Sequence, residues 1–64
     1  MIHFICMYCI ERQGPDGHWT QEICFKTEFK AFVSARTKSR ATLHTYRIVN
    51  PTWNNVVAVV EGQR

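Results

Sequence analysis

The spacing of apolar residues predicts one helix in this chain, within the segment TEFKAFVSARTKSR at residues 27–40. Phe29, Phe32 and Val33 recur at the i, i+3, i+4 interval that places side chains on one helix face. We therefore expect these three side chains to face a sheet. On that prediction, Phe32→Ala would cost about 3–5 kcal/mol of folding free energy.

The ends of the helix are also indicated. Thr27 is suited to cap its start, and Glu28 just behind it favours the positive end of the helix dipole. The helix is predicted from about Glu28 to about Ser39. Arg36 falls inside the apolar stripe, so either its aliphatic stem packs while its head reaches water, or the helix frays there.

The residues before the helix read as a hairpin. Residues 2–12 form a strand that is apolar on both faces, which is typical of a central strand. The other reading of this strand places one face against the helix and the other against a partner. Residues 13–17 contain Gly-Pro-Asp-Gly and predict a turn.

The second strand, residues 18–26, shows the cleanest alternation in the chain. Trp19, Ile23 and Phe25 share one parity, and we expect them to face the helix.

Two further strands follow the helix. Residues 41–49 are rich in β-formers, with Tyr46 and Ile48 predicted to face the core and Arg47 to point outward. Residues 56–60, VVAVV, form the last strand. The predicted fold is α+β: an antiparallel four-stranded sheet with one helix packed on one face, in the order β-β-α-β-β and in a single domain, 1–64.

This order of elements resembles that of many small phage and mobile-element proteins, including some anti-CRISPR proteins. The resemblance rests on architecture and on Thr27, Ala31 and Phe32 in the helix and Tyr46, Arg47 and Ile48 in the following strand. It implies a protein that acts by binding a host complex.

The number of cysteines does not indicate a disulfide framework. Cys6, Cys9 and Cys24 are an odd set, and we expect all three to be reduced thiols in a cytosolic protein. The first ten residues lack the basic start and cleavage site of a signal peptide. Cys6 and Cys9 have CxxC spacing, which can hold zinc on a turn, but on a strand they face opposite sides. We therefore predict no metal.

Catalysis is not indicated by any constellation of residues. The histidines and acids form no pair at a meaningful spacing, and no glycine-rich phosphate loop occurs. We predict that the protein is not an enzyme and that it uses no cofactor.

Charge is the strongest functional signal. The net charge is +3, yet the segment from Lys26 to Arg47 carries six basic residues against Glu28 alone, a local +5 that leaves −2 elsewhere. This asymmetry favours an acidic partner; the other reading is a solvated helix face that keeps the protein soluble. The predicted partner-binding residues are the following: Lys26, Lys30, Arg36, Lys38, Arg40, Arg47 and Trp53.

Two functions fit these features. The first is a phage or mobile-element inhibitor that binds a CRISPR-Cas-like defence complex, or another nucleic-acid-handling complex, in the host cytoplasm. The alternative is a nucleic-acid-binding module that uses the Lys26–Arg47 surface. A chain of 64 residues hides only about 60% of its unfolded surface, so we expect an apolar surface for a partner or for a second copy. Trp53, in the loop at residues 52–55, is either an anchor for such a partner or a lid on the core.

Overall fold

The structure, a computed structural model, describes residues 7–62. It contains four strands and one helix, in this order: β1 (Tyr8–Gln13), β2 (Trp19–Phe25), α1 (Glu28–Thr42), β3 (Tyr46–Asn50) and β4 (Asn55–Val60). All neighbouring strands are antiparallel, in the order β2-β1-β3-β4. The helix packs on one face of this sheet, which confirms the predicted fold class. The predicted start of the first strand, residues 2–6, lies outside the described residues.

The helix begins where the sequence predicts. Thr27 is extended, and its Oγ1 accepts a hydrogen bond from the backbone N–H of Lys30 at 3.2 Å. The helix continues to Thr42 and ends at Leu43, which adopts the left-handed conformation with φ 66°. It is therefore longer than predicted, and Ala41 and Thr42 belong to it and not to the third strand. The Thr42 hydroxyl donates a hydrogen bond to the Lys38 carbonyl at 2.8 Å. Thr42 therefore finds a hydrogen-bond partner within the helix, although threonine favours strands.

The buried face of the helix is not the predicted one. Ala31, Ala35 and Ser39 are buried against the sheet. Phe29 is 74% exposed and Phe32 36% exposed, so the prediction that the aromatic stripe is buried was wrong.

The physical reason is the size of the side chains that the sheet and the helix each bring to the core between them. The sheet supplies large side chains, Ile10, Tyr46 and Ile48, which are fully or almost fully buried. Alanines opposite them let the helix backbone lie close to the sheet, which keeps the core densely packed. The inward positions of Tyr46 and Ile48 confirm the alternation predicted for the third strand.

The hairpin turn forms as predicted. The N–H of Gly17 donates to the Gly14 carbonyl at 3.0 Å, and Gly17 has φ 88°, which glycine adopts without strain. The carboxylate of Asp16 accepts from the backbone N–H of His18 and lies 2.7 Å from its Nδ1. The hydrogen bonds from the His18 side chain and then its backbone hold the pKa of Asp16 below its usual value.

A β-bulge in the second strand overturns one predicted face. Ile10 pairs with Ile23, but Glu11 pairs with Gln21, so Glu22 is an extra residue in β2. One extra residue moves every residue before it in the strand to the opposite face of the sheet. Phe25 packs against the core as predicted, and Ile23 shares its side of the sheet but is 45% exposed.

Trp19 lies before the bulge and therefore on the opposite face. Its ring is stacked by the guanidinium of Arg47, whose Cζ is 4.2 Å from the ring centroid. The prediction that Trp19 faces the helix was wrong, because strict alternation along β2 takes no account of an inserted residue.

The prediction of reduced thiols was wrong for two of the three cysteines. Cys9 and Cys24 are directly opposite each other in the β1–β2 register and are joined by a disulfide. They lie on the face of the sheet away from α1, since Ile10, the neighbour of Cys9, faces the helix. Strand pairing therefore brings together two cysteines that are 15 residues apart in sequence. Cys6 lies outside the described residues.

Candidate functional site

Apart from Lys38, which pairs with Glu22 beside the helix, the predicted basic residues lie in three separate regions. Arg47 lies on the sheet face away from the helix, where its Nε contacts Glu11 Oε1 at 2.6 Å. Its guanidinium also stacks on Trp19, as described above. Both its charge and its planar face are therefore engaged inside the chain. Arg47 is not brought together with the basic residues of the helix.

Lys38 is also engaged by an acid. Its Nζ lies 3.3 Å from Glu22 Oε1, and Arg12 Nη1 lies 3.5 Å from the other oxygen of the same carboxylate. Glu22 reaches Lys38 because it is the inserted residue of the bulge and turns toward the helix. The bulge therefore places a carboxylate where the basic helix face would otherwise present a free cation.

Arg36 and Arg40 form the second region, on the side of the helix that faces β4. They line a groove together with Phe32 and the end of β4, including Val59 and Glu61. The Cζ of Arg36 is 5.9 Å from the Phe32 ring centroid. This region combines positive charge with an aromatic ring that is more than one-third exposed.

The third region lies at the end of the sheet where the helix begins. Tyr8 pairs with Phe25, the last residue of β2, and Cys9 pairs with Val49, near the end of β3. The start of α1 and the β3–β4 turn must therefore lie at the same end of the sheet. This places Phe29 and Trp53, two aromatic residues far apart in sequence, at one end of the molecule.

The turn that carries Trp53 is held by Asn50. Asn50 is buried, and its Oδ1 accepts hydrogen bonds from the backbone N–H groups of Thr52 at 3.0 Å and Trp53 at 3.4 Å. Trp53 is 73% exposed, so it is not a lid on the core. Its side chain is presented to solvent from a turn with a defined backbone.

We call the set Phe29, Trp53, Lys26 and Lys30 the aromatic end. All four side chains belong to exposed residues, and neither lysine makes an ion pair within residues 7–62. Phe and Trp are enriched in protein interfaces, and Trp is often among the few residues that dominate the binding free energy. Nearby cations steer an acidic partner toward them. The arrangement is suited to binding a protein surface that is apolar with carboxylates around it.

Sequence reasoning missed Phe29 as a surface residue because it assigned Phe29 to the core. A signal that could have corrected this is present. Ala31, Ala35 and Ser39 form an i, i+4, i+8 repeat of small residues on the other side of the helix. Small residues at that interval mark a helix face that lies close to a neighbour.

Chemical groups for catalysis or metal binding are not assembled in the part of the chain that the structure describes. No three His, Cys, Asp or Glu side chains among those residues lie close enough to hold a metal ion. The closest histidine–carboxylate pair, His18 with Asp16, sits in the exposed hairpin turn. Both described cysteines are in the disulfide, so neither offers a thiolate nucleophile.

Comparison of the chain with family models, with curated proteins and with solved structures gave no match.

The described residues include no helix with the length and apolar character that crossing a lipid bilayer would demand.

Proposed function

We propose that this protein is a protein-binding module that engages its partner through the aromatic end. The observation that carries the proposal is the exposure of Phe29 and Trp53, at 74% and 73%, at the same end of the sheet. Aromatic residues are enriched among the few side chains that dominate binding free energy. Both are held on ordered backbone, one on a capped helix and one on an Asn50-braced turn, so little conformational entropy is lost on binding.

The partner that fits this end carries an apolar patch surrounded by carboxylates. Lys26 and Lys30 would meet those carboxylates at the rim, where charge accelerates association more than it raises affinity. A bare nucleic-acid duplex fits less well, because Arg47 and Lys38 already contact Glu11 and Glu22. The cations left over do not form the continuous track that phosphate binding uses.

The biological role that we propose is inhibition by occupancy: a phage or mobile-element protein that binds a host defence or nucleic-acid-handling complex. Support for this role comes from the resemblance in architecture, from the small size and from the exposed binding surface. An inhibitor that acts by occupying a surface needs anchors and no catalytic group.

The test compares three proteins as bait in host lysate treated with nuclease: the unmodified chain, the double variant Phe29→Ser/Trp53→Ser, and the control Leu43→Asn. Leu43 is also exposed, but it lies at the opposite end of the helix in a left-handed conformation that asparagine tolerates. Proteins captured by the unmodified chain and the control but not by the double variant are the candidates. Each is then purified and its affinity measured.

We expect the double variant to bind such a partner at least about a hundredfold more weakly, since each anchor is expected to contribute a factor of about ten or more. Lys26→Glu/Lys30→Glu should mainly slow association. Restored plasmid or phage propagation in cells with an active defence system, lost with the double variant, would support inhibition. Salt-sensitive binding to bare duplex, with every protein partner lost after nuclease, would instead support the nucleic-acid function.

A further inference from the structure

We propose that two copies of this chain associate side by side, with β4 of one copy paired antiparallel to β4 of the other and the two helices on the same face of the joined sheet. The proposal does not rest on the aromatic end. It rests on the edge of β4 that no other strand of residues 7–62 covers, and on one row of helix residues that we call the ridge: Glu28, Phe32, Arg36 and Arg40. The last three of these line the groove beside β4.

The two edges of the sheet differ in how they are protected. β2, at one edge, carries the charged Glu22 at its bulge. β4, at the other edge, reads NVVAVV, without a charge or a proline. Its irregularity falls at Val57, so Ala58 to Val60 remain regular. An uncharged edge strand with free backbone groups is a template for another strand.

Val59 is the central residue of that regular part. It is 54% exposed and points away from the helix, since its register partner is Arg47. In an antiparallel pair with a two-fold axis at Val59, the two Val59 side chains lie side by side. Ala58 of each copy then pairs with Val60 of the other. The contact buries apolar surface that the single chain leaves in water.

The helix ridge is complementary to itself in charge. Its four residues are spaced by four and therefore lie in one row along the helix. When two such rows run antiparallel about residue 34, Glu28 of each copy meets Arg40 of the other. Phe32 of each likewise meets Arg36 of the other. Neither Glu28 nor Arg40 makes an ion pair within residues 7–62.

The two-fold axis required by the strand pairing and the two-fold axis required by the ridge pairing lie at the same level of the molecule. Ser39 Oγ donates to the Glu61 carbonyl at 3.2 Å, so residue 39 of the helix is level with Glu61. Residue 34 lies about 7.5 Å earlier along the helix. That distance spans about two residues of β4 at about 3.3 Å each, which brings residue 34 level with Val59. One two-fold axis therefore satisfies both the strand pairing and the ridge pairing.

The side chains of the ridge also have the reach that this arrangement needs. With strands about 4.8 Å apart and each helix centred over β3, the helix axes lie about 14 Å apart. Small residues would leave that gap empty, whereas Phe, Arg and Glu can span it. β4 pairs with β4 of the other copy, and the ridge pairs with the ridge of the other copy. The surface is therefore complementary to itself, and its partner is a second, identical chain.

The test is sedimentation analysis over a wide range of protein concentration, with matched variants. We expect the unmodified chain to dimerise reversibly. Val59→Lys, which places a charge at the two-fold axis, should weaken the dimer at least about tenfold. Arg40→Glu and Glu28→Arg should each weaken it, and the double swap Glu28→Arg/Arg40→Glu should restore it. Ala41→Glu, which adds a charge at an exposed position of the same helix but off the ridge, should leave it unchanged.

Each outcome bears on the proposal. A chain that stays monomeric at the highest concentrations would overturn it. So would a dimer insensitive to Val59→Lys, or a dimer in which the double swap fails to restore what either single change loses. Thermal melts identify any variant that fails to fold, and Val59→Lys, at an exposed position outside the helix, then carries the test. None of these substitutions removes Phe29 or Trp53, so failure here leaves the proposed function standing, and the reverse also holds.

Discussion

The two faces of the sheet are stabilised in different ways. The inner face is covered by α1, and Ile10, Tyr46 and Ile48 pack there against two alanines. No other element of residues 7–62 covers the outer face, which is held instead by a covalent bond and a polar pair. The Cys9–Cys24 disulfide joins β1 to β2, and the Glu11–Arg47 pair joins β1 to β3.

This difference shows how a small domain can be stable with a packed core on only one face of its sheet. A chain of this size buries too little surface for two complete cores. On the outer face, contacts between neighbouring strands take the place of a second layer. Trp19 adds to them by stacking on Arg47.

The largest expected effect is on the outer face. Reduction of the Cys9–Cys24 disulfide should lower the free energy of unfolding by about 3 kcal/mol, because the bond closes a loop of 15 residues in the unfolded chain. Urea unfolding with and without reductant measures this. Cys24→Ser should reproduce the loss and should be unaffected by reductant. Equal unfolding midpoints would show that the bond contributes nothing, as the sequence alone suggested.

On the inner face, the close approach of the helix is the feature to break. Ala35→Leu inserts a larger side chain where no space remains and should cost about 1–3 kcal/mol. The matched control is Val33→Leu on the exposed side of the same helix, which should change stability by less than about 0.5 kcal/mol. Similar losses for the two variants would mean that the helix does not face the sheet through its alanines.

The polar pair of the outer face should contribute less than the disulfide. Arg47→Met removes the partner of Glu11 and the cation stacked on Trp19 while keeping the length of the side chain. We expect a loss of about 1 kcal/mol, since the pair is only partly buried. A double-mutant cycle with Glu11→Gln isolates the pair. A coupling free energy near zero would leave the disulfide as the chief stabiliser of this face.

The smallest change in stability is expected for a side chain that packs on neither face of the sheet. Phe29→Ala should change the stability of the dilute protein by less than about 0.5 kcal/mol, because the side chain is mostly in water already. The same substitution should weaken partner binding. A loss of several kcal/mol in thermal unfolding would place Phe29 in the core, as the helical spacing alone suggests.

Much of the fold followed from local signals in the sequence. The Thr27 cap, the Gly14–Gly17 turn and the alternation in β3 each depend on residues within a few positions of one another. Signals of that kind act through the backbone and need no knowledge of distant neighbours. The order and type of the elements, and with them the fold class, were therefore predictable.

The candidate site was predictable only in part. The exposure of Lys26 and Lys30 agrees with the charge pattern of the sequence. The engagement of Lys38 and Arg47 by Glu22 and Glu11 could not be read from the sequence, since it depends on a bulge and on strand register. Whether these residues bind a partner stays a prediction.

The sequence by itself determined where the helix and strands form, because capping, turn chemistry and alternation are local. Only the tertiary structure decided which helix face is buried, which cysteines pair and which face Trp19 occupies. Burial on the helix depends on the volume that the sheet presents, and Ile10, Tyr46 and Ile48 leave room for alanine but not for phenylalanine. The face of Trp19 depends on the one extra residue at Glu22, and the disulfide depends on the register that places Cys24 opposite Cys9. Both appear only when β2 is paired with β1.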